Sequence, residues 1–276
     1  MKRKTALIFV ILSLIALSLF VSCTKKADDS LIPGPYPNPS YDKLEEDEEA
    51  EKENEPSEEA VELFEDYKHI AFTFDDGPDA ILTKKFVDKL AEYGGRATFF
   101  VVGDMIDERT EGALKYAVSH GNEIGIHALT HRYDFSVCND EVYQSEVKYT
   151  RNKIYSYAGV EPLLMRPPGG AITGERIANS KYPVILWSVD SEDWRHKAME
   201  TSEQAAKNVQ IIVDNVLSSV KDGDILLMHE IYENSYKAFC VIIDTLYREG
   251  YRFVTVSELL GESIQSGVKY HCLTVN

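Results

Sequence analysis

From residue 67 onward, short apolar runs alternate with longer amphipathic stretches, and the chemically active side chains fall where the apolar runs end. The runs at 69–74, 97–102, 123–127, 163–166, 183–189, 224–229 and 253–256 have the length and composition of buried strands. Helical spacing holds over 80–93, 110–120, 141–158, 202–220 and 236–248. Strands separated by helices in near-regular order predict a parallel α/β sheet. About seven such units predict a distorted (β/α) barrel, with an open doubly wound sheet as the alternative. A chain of 276 residues is within the range of a single α/β barrel domain.

The placement of the unusual residues narrows the function. Asp75 and Asp76 end the first run, and His127 and His131 follow the third. Arg166 opens the loop after the fourth. Asp190, Asp193 and Trp194 follow the fifth, and His229 ends the sixth. All lie at the carboxyl ends of strands, the face that carries the active site in a β/α barrel. Two imidazoles four residues apart reach one point if the chain turns helically after its strand. Two histidines with one carboxylate form a three-ligand set that suits zinc and leaves positions open for water and substrate. Cobalt, nickel and iron accept the same donors.

The first 66 residues have a different character. Lys2, Arg3 and Lys4 precede an apolar run over 6–21, broken only by Ser13 and Ser18. It fits the core of a signal peptide and is marginal for a membrane span. Leu19-Phe20-Val21-Ser22-Cys23 resembles a bacterial lipoprotein cleavage site, although Phe20 stands where a smaller aliphatic residue is usual. In that reading residues 1–23 are a lipoprotein-type signal peptide, Cys23 becomes the lipidated N-terminus, and the lipid anchors the protein outside a bacterial membrane. A plain secretory signal or an uncleaved anchor is the alternative. Residues 24–66 hold Pro33, Pro35, Pro37 and Pro39, then a dense acidic run. Such a segment has too little apolar surface to offset the entropy of ordering it, and reads as a solvated linker. The catalytic domain is then 67–276. The net charge of −17 argues against nucleic acid as a partner. With Cys23 set aside, Cys138, Cys240 and Cys272 allow at most one disulfide.

Six segments together resemble the polysaccharide deacetylases of the NodB type, also called carbohydrate esterase family four. They are Thr73-Phe74-Asp75-Asp76-Gly77-Pro78, Ala97-Thr98-Phe99-Phe100-Val101-Val102-Gly103, His127-Ala128-Leu129-Thr130-His131, Arg166-Pro167-Pro168-Gly169-Gly170, Asp190-Ser191-Glu192-Asp193-Trp194 and Leu226-Leu227-Met228-His229, in the family's order. The resemblance implies metal ligands at Asp76, His127 and His131, and a general base at Asp75 tuned by Arg166. It implies a general acid at His229 oriented by Asp193, an oxyanion contact from the Gly169 backbone N–H, and an acetyl pocket lined by Trp194 and Leu227. The implied reaction is metal-dependent removal of acetyl groups from a polysaccharide by a monomer, with N-acetylglucosamine of peptidoglycan as the expected substrate. O-acetyl esters of xylan or another glycan, or non-catalytic glycan binding, are the alternatives. Two positions depart from the family: Ala128 stands where Ser or Thr usually steadies the metal loop, and Gly169 where Tyr is frequent. His69, His120, His196 and His271 match no motif and read as structural or exposed.

Overall fold

The computed structural model describes residues 67–197 and 201–273. The expected signal peptide, Cys23 and the linker over 24–66 lie outside them. Within the described residues the chain runs β1 (Lys68–Asp75), α1 (Leu82–Ala91), β2 (Thr98–Val102), α2 (Glu111–Ser119), β3 (Glu123–Ala128), α3 (Asp140–Ala158), α4 (Gly174–Ala178), β4 (Val184–Ile185) and β5 (Val189–Asp190). It continues through α5 (Ser202–Leu217), β6 (Ile225–His229), α6 (Glu233–Arg248), β7 (Tyr251–Phe253), α7 (Val256–Leu260) and β8 (Lys269–Tyr270). No helix among these residues is long and apolar enough to cross a membrane.

The named strands pair only in parallel, in the order β3-β2-β1-β6-β5, with β7 against the start of β1 and β4 against β8. Single parallel bridges join Ile126 to Met165 and Met165 to Val184. Because β4 runs on into β5, these bridges close the ring from β3 through Met165 and β4–β5 back to β6. The architecture is the expected distorted barrel, and the open sheet is set aside. Three strand expectations change in detail. The run at 163–166 contributes one bridge residue, because Pro167 and Pro168 lack the N–H groups to extend a ladder. The run at 183–189 splits into β4 and β5 where the chain crosses between the two sides of the ring. The last run ends at Phe253, because Thr255 caps α7 through a reciprocal capping box with Glu258.

Strand alternation sorts the side chains into two cores. Phe72 and Phe74 of β1 point outward, packing edge-on to Phe239 of α6 at 5.0 and 5.4 Å between ring centroids. Phe74 also meets Phe86 of α1 at 4.5 Å. A second, smaller cluster holds the alternate residues Ala71, Phe100 and Ile225, together with Leu164, Ile185 and the apolar residues of α7. It fills the barrel interior. β1 is buried at every position after Lys68, as expected for a parallel strand covered on both faces. Cys138, Cys240 and Cys272 are all free thiols, so none of the possible pairings among them is made.

Candidate active site

With Phe72 and Phe74 outward, Thr73 and Asp75 face the barrel interior. On β6, Leu226 and Met228 belong to the outer core, so Leu227 and His229 face inward. Asp75 and His229 are register partners at the ends of their strands. An acid and an imidazole are thereby fixed side by side at the mouth.

Asp75 is 3% exposed. Its Oδ1 accepts a hydrogen bond from Nη1 of Arg166 at 2.8 Å. Arg166 is fully buried, and its other hydrogen bonds go to Thr73 Oγ1, the Ile185 carbonyl and the Leu186 carbonyl at 2.7, 3.1 and 2.9 Å. Burial draws the guanidinium pKa down, against the pull of Asp75. A guanidinium nonetheless stays charged in a protein, so Asp75 has a permanent counter-ion.

The backbone enters the left-handed region at Asp76, φ 74°, which separates the directions of the two adjacent aspartates. Oδ1 of Asp76 lies 3.5 Å from Nε2 of His127 and 3.4 Å from Nε2 of His131. One donor atom from each of these three residues falls within 4.8 Å of the other two. His127 arrives by a β-bulge: Val101 pairs with Ile126 but Val102 with Ala128, so His127 is the extra residue. Its Nδ1 is 2.8 Å from the Arg166 carbonyl, which only accepts. When the ring is neutral its proton therefore sits on Nδ1, and the Nε2 lone pair is left facing Asp76 and His131. Oδ1 of Asp76 is buried with no partner in hydrogen-bonding geometry. An orphaned carboxylate oxygen facing two imidazole nitrogens is a donor set that fits a divalent cation. Burial pushes the Asp76 carboxyl up, but attraction to His127, His229 and His131 outweighs it and holds the group at about 2.

Nδ1 of His229 is 2.7 Å from Oδ1 of Asp193, which is fully buried. Oδ2 of Asp193 accepts from the His229 backbone N–H at 2.7 Å and from Ser235 Oγ at 2.6 Å. Burial alone would strip the imidazole of its proton. The Asp193 hydrogen bond and charge, with Asp75 and Asp76 behind them, push its pKa up to about 9. Nε2 of His229 lies 4.0 Å from Oδ2 of Asp76, so the protonated edge faces the aspartate cluster.

The remaining expected residues occupy the same rim. Gly169 sits in the turn Pro168–Gly170 at φ 58°, and a Cβ placed there would meet nothing within 4 Å. Trp194, 44% exposed, lies in the turn Asp193–Arg195 after β5, with the Arg195 guanidinium 4.8 Å from its ring. Leu227, almost buried, is in register with Thr73 and Asp190. Among the described residues three non-glycines have positive φ: Asp76, His131 and Glu192. All three are in loops at this mouth, where strained backbone concentrates at functional sites.

Sequence reasoning missed several participants. Thr73 and Ser235 each support a catalytic candidate through one hydroxyl. Glu146 of α3 holds the loop between the two histidines. Glu230, next to His229, is fully buried against Gly77 and hydrogen-bonded to Thr83, and burial pushes its carboxyl up to about 8. The readable signal was an acid inside an apolar pattern: Glu146 falls on the stripe Tyr143, Val147, Thr150 and Ile154.

The sequence model of the polysaccharide deacetylase family matches residues 65–182. The peptidoglycan-N-acetylglucosamine deacetylase PgdA of Listeria monocytogenes is 34% identical over 203 residues, covering 74% of this chain and 41% of that protein. This chain thus spans about two fifths of that relative's length. A peptidoglycan-N-acetylglucosamine deacetylase of Bacillus cereus is 37% identical over 201 residues, covering 70% of this chain and 88% of that one. Among solved structures, a family 4 acetyl xylan esterase of Clostridium thermocellum in complex with a cobalt ion superposes with a TM-score of 0.67 at 28% identity, covering 75% of this chain and all of the other. With barrel, motifs and relatives in agreement, the chain belongs to the polysaccharide deacetylase family.

Proposed function

We propose that this chain hydrolyses N-acetyl groups of peptidoglycan, at its N-acetylglucosamine residues, and releases acetate. The observation that carries the reading is the cluster of Asp76, His127 and His131 flanked by Asp75 on one side and the His229–Asp193 pair on the other. Asp76, His127 and His131 would hold one divalent ion, zinc by the donor set. Once bound, such an ion supplies Lewis acidity and makes a water nucleophile available near pH 7.

The chain's own groups divide the remaining work. Asp75, kept in place by Arg166, accepts the proton of the attacking water. His229 carries a proton on Nε2 and delivers it to the departing nitrogen, since an amine anion is not a viable leaving group. Asp193 holds the Nδ1–H and compensates the imidazolium charge. The Gly169 N–H donates to the developing oxyanion; a donor of this kind is worth about 3–4 kcal/mol. Trp194 and Leu227 close the space around the acetyl methyl. The open position beside Gly169 widens the cleft where family members often carry a tyrosine, which suits a long, substituted glycan.

The relatives named for peptidoglycan deacetylation support the substrate and an extracytoplasmic location. The apolar run over 6–21 followed by Ser22-Cys23 supports a lipid anchor, and residues 24–66 would form the tether that lets the domain reach the wall. The first residue matched by the family model, 65, supports a catalytic domain that begins near 67. Likeness to an acetyl xylan esterase favours one second reading, O-deacetylation of xylan. Acetate release by the purified chain from peptidoglycan, an N-acetylglucosamine oligomer and acetylxylan separates the two. Release from peptidoglycan and the oligomer is expected. Release from acetylxylan alone would establish the esterase. Release from none by a folded, zinc-loaded chain would leave glycan binding.

A further inference from the structure

We infer that Glu146 is a positioning residue of the metal centre, fixing the His127–His131 loop through Thr130. The inference rests on the metal-centre reading above. Ala128 leaves this loop without the hydroxyl that would steady it directly after His127. The support comes instead from α3. Oε2 of Glu146 accepts from the Thr130 backbone N–H at 2.8 Å, and Oε1 accepts from Thr130 Oγ1 at 2.9 Å. Both oxygens of one carboxylate are thus directed at the single residue that precedes His131. Thr130 Oγ1 also accepts from the Arg132 N–H at 3.3 Å, so the grip extends to the far side of His131. A further tie is a backbone bond from Asp104 N–H to the Leu129 carbonyl at 2.7 Å.

Glu146 does more than pack α3 against the barrel. Glu146 is 4% exposed and shares the apolar face of α3 with Tyr143 and Val147. A carboxylate there forgoes hydration, and an apolar side chain would suit the helix better unless those hydrogen bonds serve something else. His131 stands at φ 56°, a conformation that a residue with a Cβ rarely adopts. Such a conformation persists only where neighbours impose it, and the bonds to Thr130 are placed to do so. Outer residues that orient metal ligands typically change metal affinity about 10–100-fold when removed.

The test is titration of the metal-free full chain with zinc chloride, by calorimetry or against a chromophoric chelator. Glu146→Ala is expected to weaken zinc about 10–100-fold. Thr130→Val removes the hydroxyl that donates to Oε1 and accepts from the Arg132 N–H, and should weaken zinc by about 5–10-fold. Glu146→Gln should stay within about threefold of wild type, because its oxygen accepts from the N–H and its amide donates to Oγ1. A folded Glu146→Ala chain that binds zinc as tightly as wild type overturns the inference. If that variant does not fold, a Thr130→Val chain with wild-type affinity overturns it. A wild-type chain that binds no zinc overturns the metal-centre reading as well. The binding data need no substrate, so they decide the point whichever glycan the enzyme uses.

Discussion

Asp193→Asn keeps the shape of the side chain and removes the charge on which His229 depends. The wild-type imidazole holds its proton to about 9 rather than 6.5, with Asp193 the largest influence opposing burial. At 1.36 kcal/mol per decade, that difference is about 3 kcal/mol in favour of the protonated ring. With Asn in place, burial is opposed by the more distant charges of Asp75, Asp76 and Asp190, and the ring should titrate at or below its ordinary 6.5. In the metal-free protein the protonated fraction at pH 8 falls from about nine in ten to about one in thirty, so a reaction that needs the proton slows by up to about 30-fold. The assay is the pH profile of acetate release from pH 6 to 10, paired with an NMR titration of His229 in metal-free protein. Stability supplies a cross-check. A base whose folded pKa is raised contributes stability that is complete below about 6.5 and lost as pH rises through about 9. The metal-free wild type should therefore lose melting temperature between pH 7 and 9.5, and Asp193→Asn should lose much less. A wild-type His229 that titrates near 6.5, or a variant whose alkaline limb overlies the wild type's, would refute the assignment of Asp193.

Two further substitutions probe the supports. Arg166→Met strands the buried Asp75 carboxylate and should destabilise the chain by about 3–5 kcal/mol, read by denaturant unfolding, with acetate release lost in whatever fraction folds. Glu230→Gln keeps the contact with Thr83 and removes a proton-binding group. Because the folded-state carboxyl sits at about 8 against an ordinary 4.5, wild-type stability should decline as pH rises from 4.5 through 8, and the variant should lack that decline.

The fold was legible because β1 after its first residue, β2, and β6 up to His229 are buried on both faces, and each long helix carries a regular stripe. The five long helices fall within a few residues of their expected spans. What was not legible was local. Short strands such as β4, β5 and β8 pair over two residues each, too few for any period to register. The helix at Val256–Leu260 depends on the Thr255 cap rather than on an extended pattern. At the site, Asp75, Asp76, His127, His131, Arg166, Asp193 and His229 were readable because they end strands that a barrel brings together. Their directions were not: the bulge at His127, the left-handed turn at Asp76 and the Arg166 carbonyl that sets the His127 tautomer are backbone events. Glu146 and Ser235 act across the fold, at separations of 16 and 42 residues from their partners, which no local motif encodes.

On the proposed function, one divalent ion on Asp76, His127 and His131, served by Asp75, makes this chain a deacetylase. The most direct test is stepwise zinc addition to the chelator-stripped chain, with bound zinc and acetate release from peptidoglycan measured on the same samples. Release that rises in proportion to bound zinc and levels off at one ion per chain, with Asp75→Asn binding the ion yet releasing nothing, is the predicted result. Release that survives removal of the metal, or an Asp75→Asn chain as active as wild type, would contradict the account.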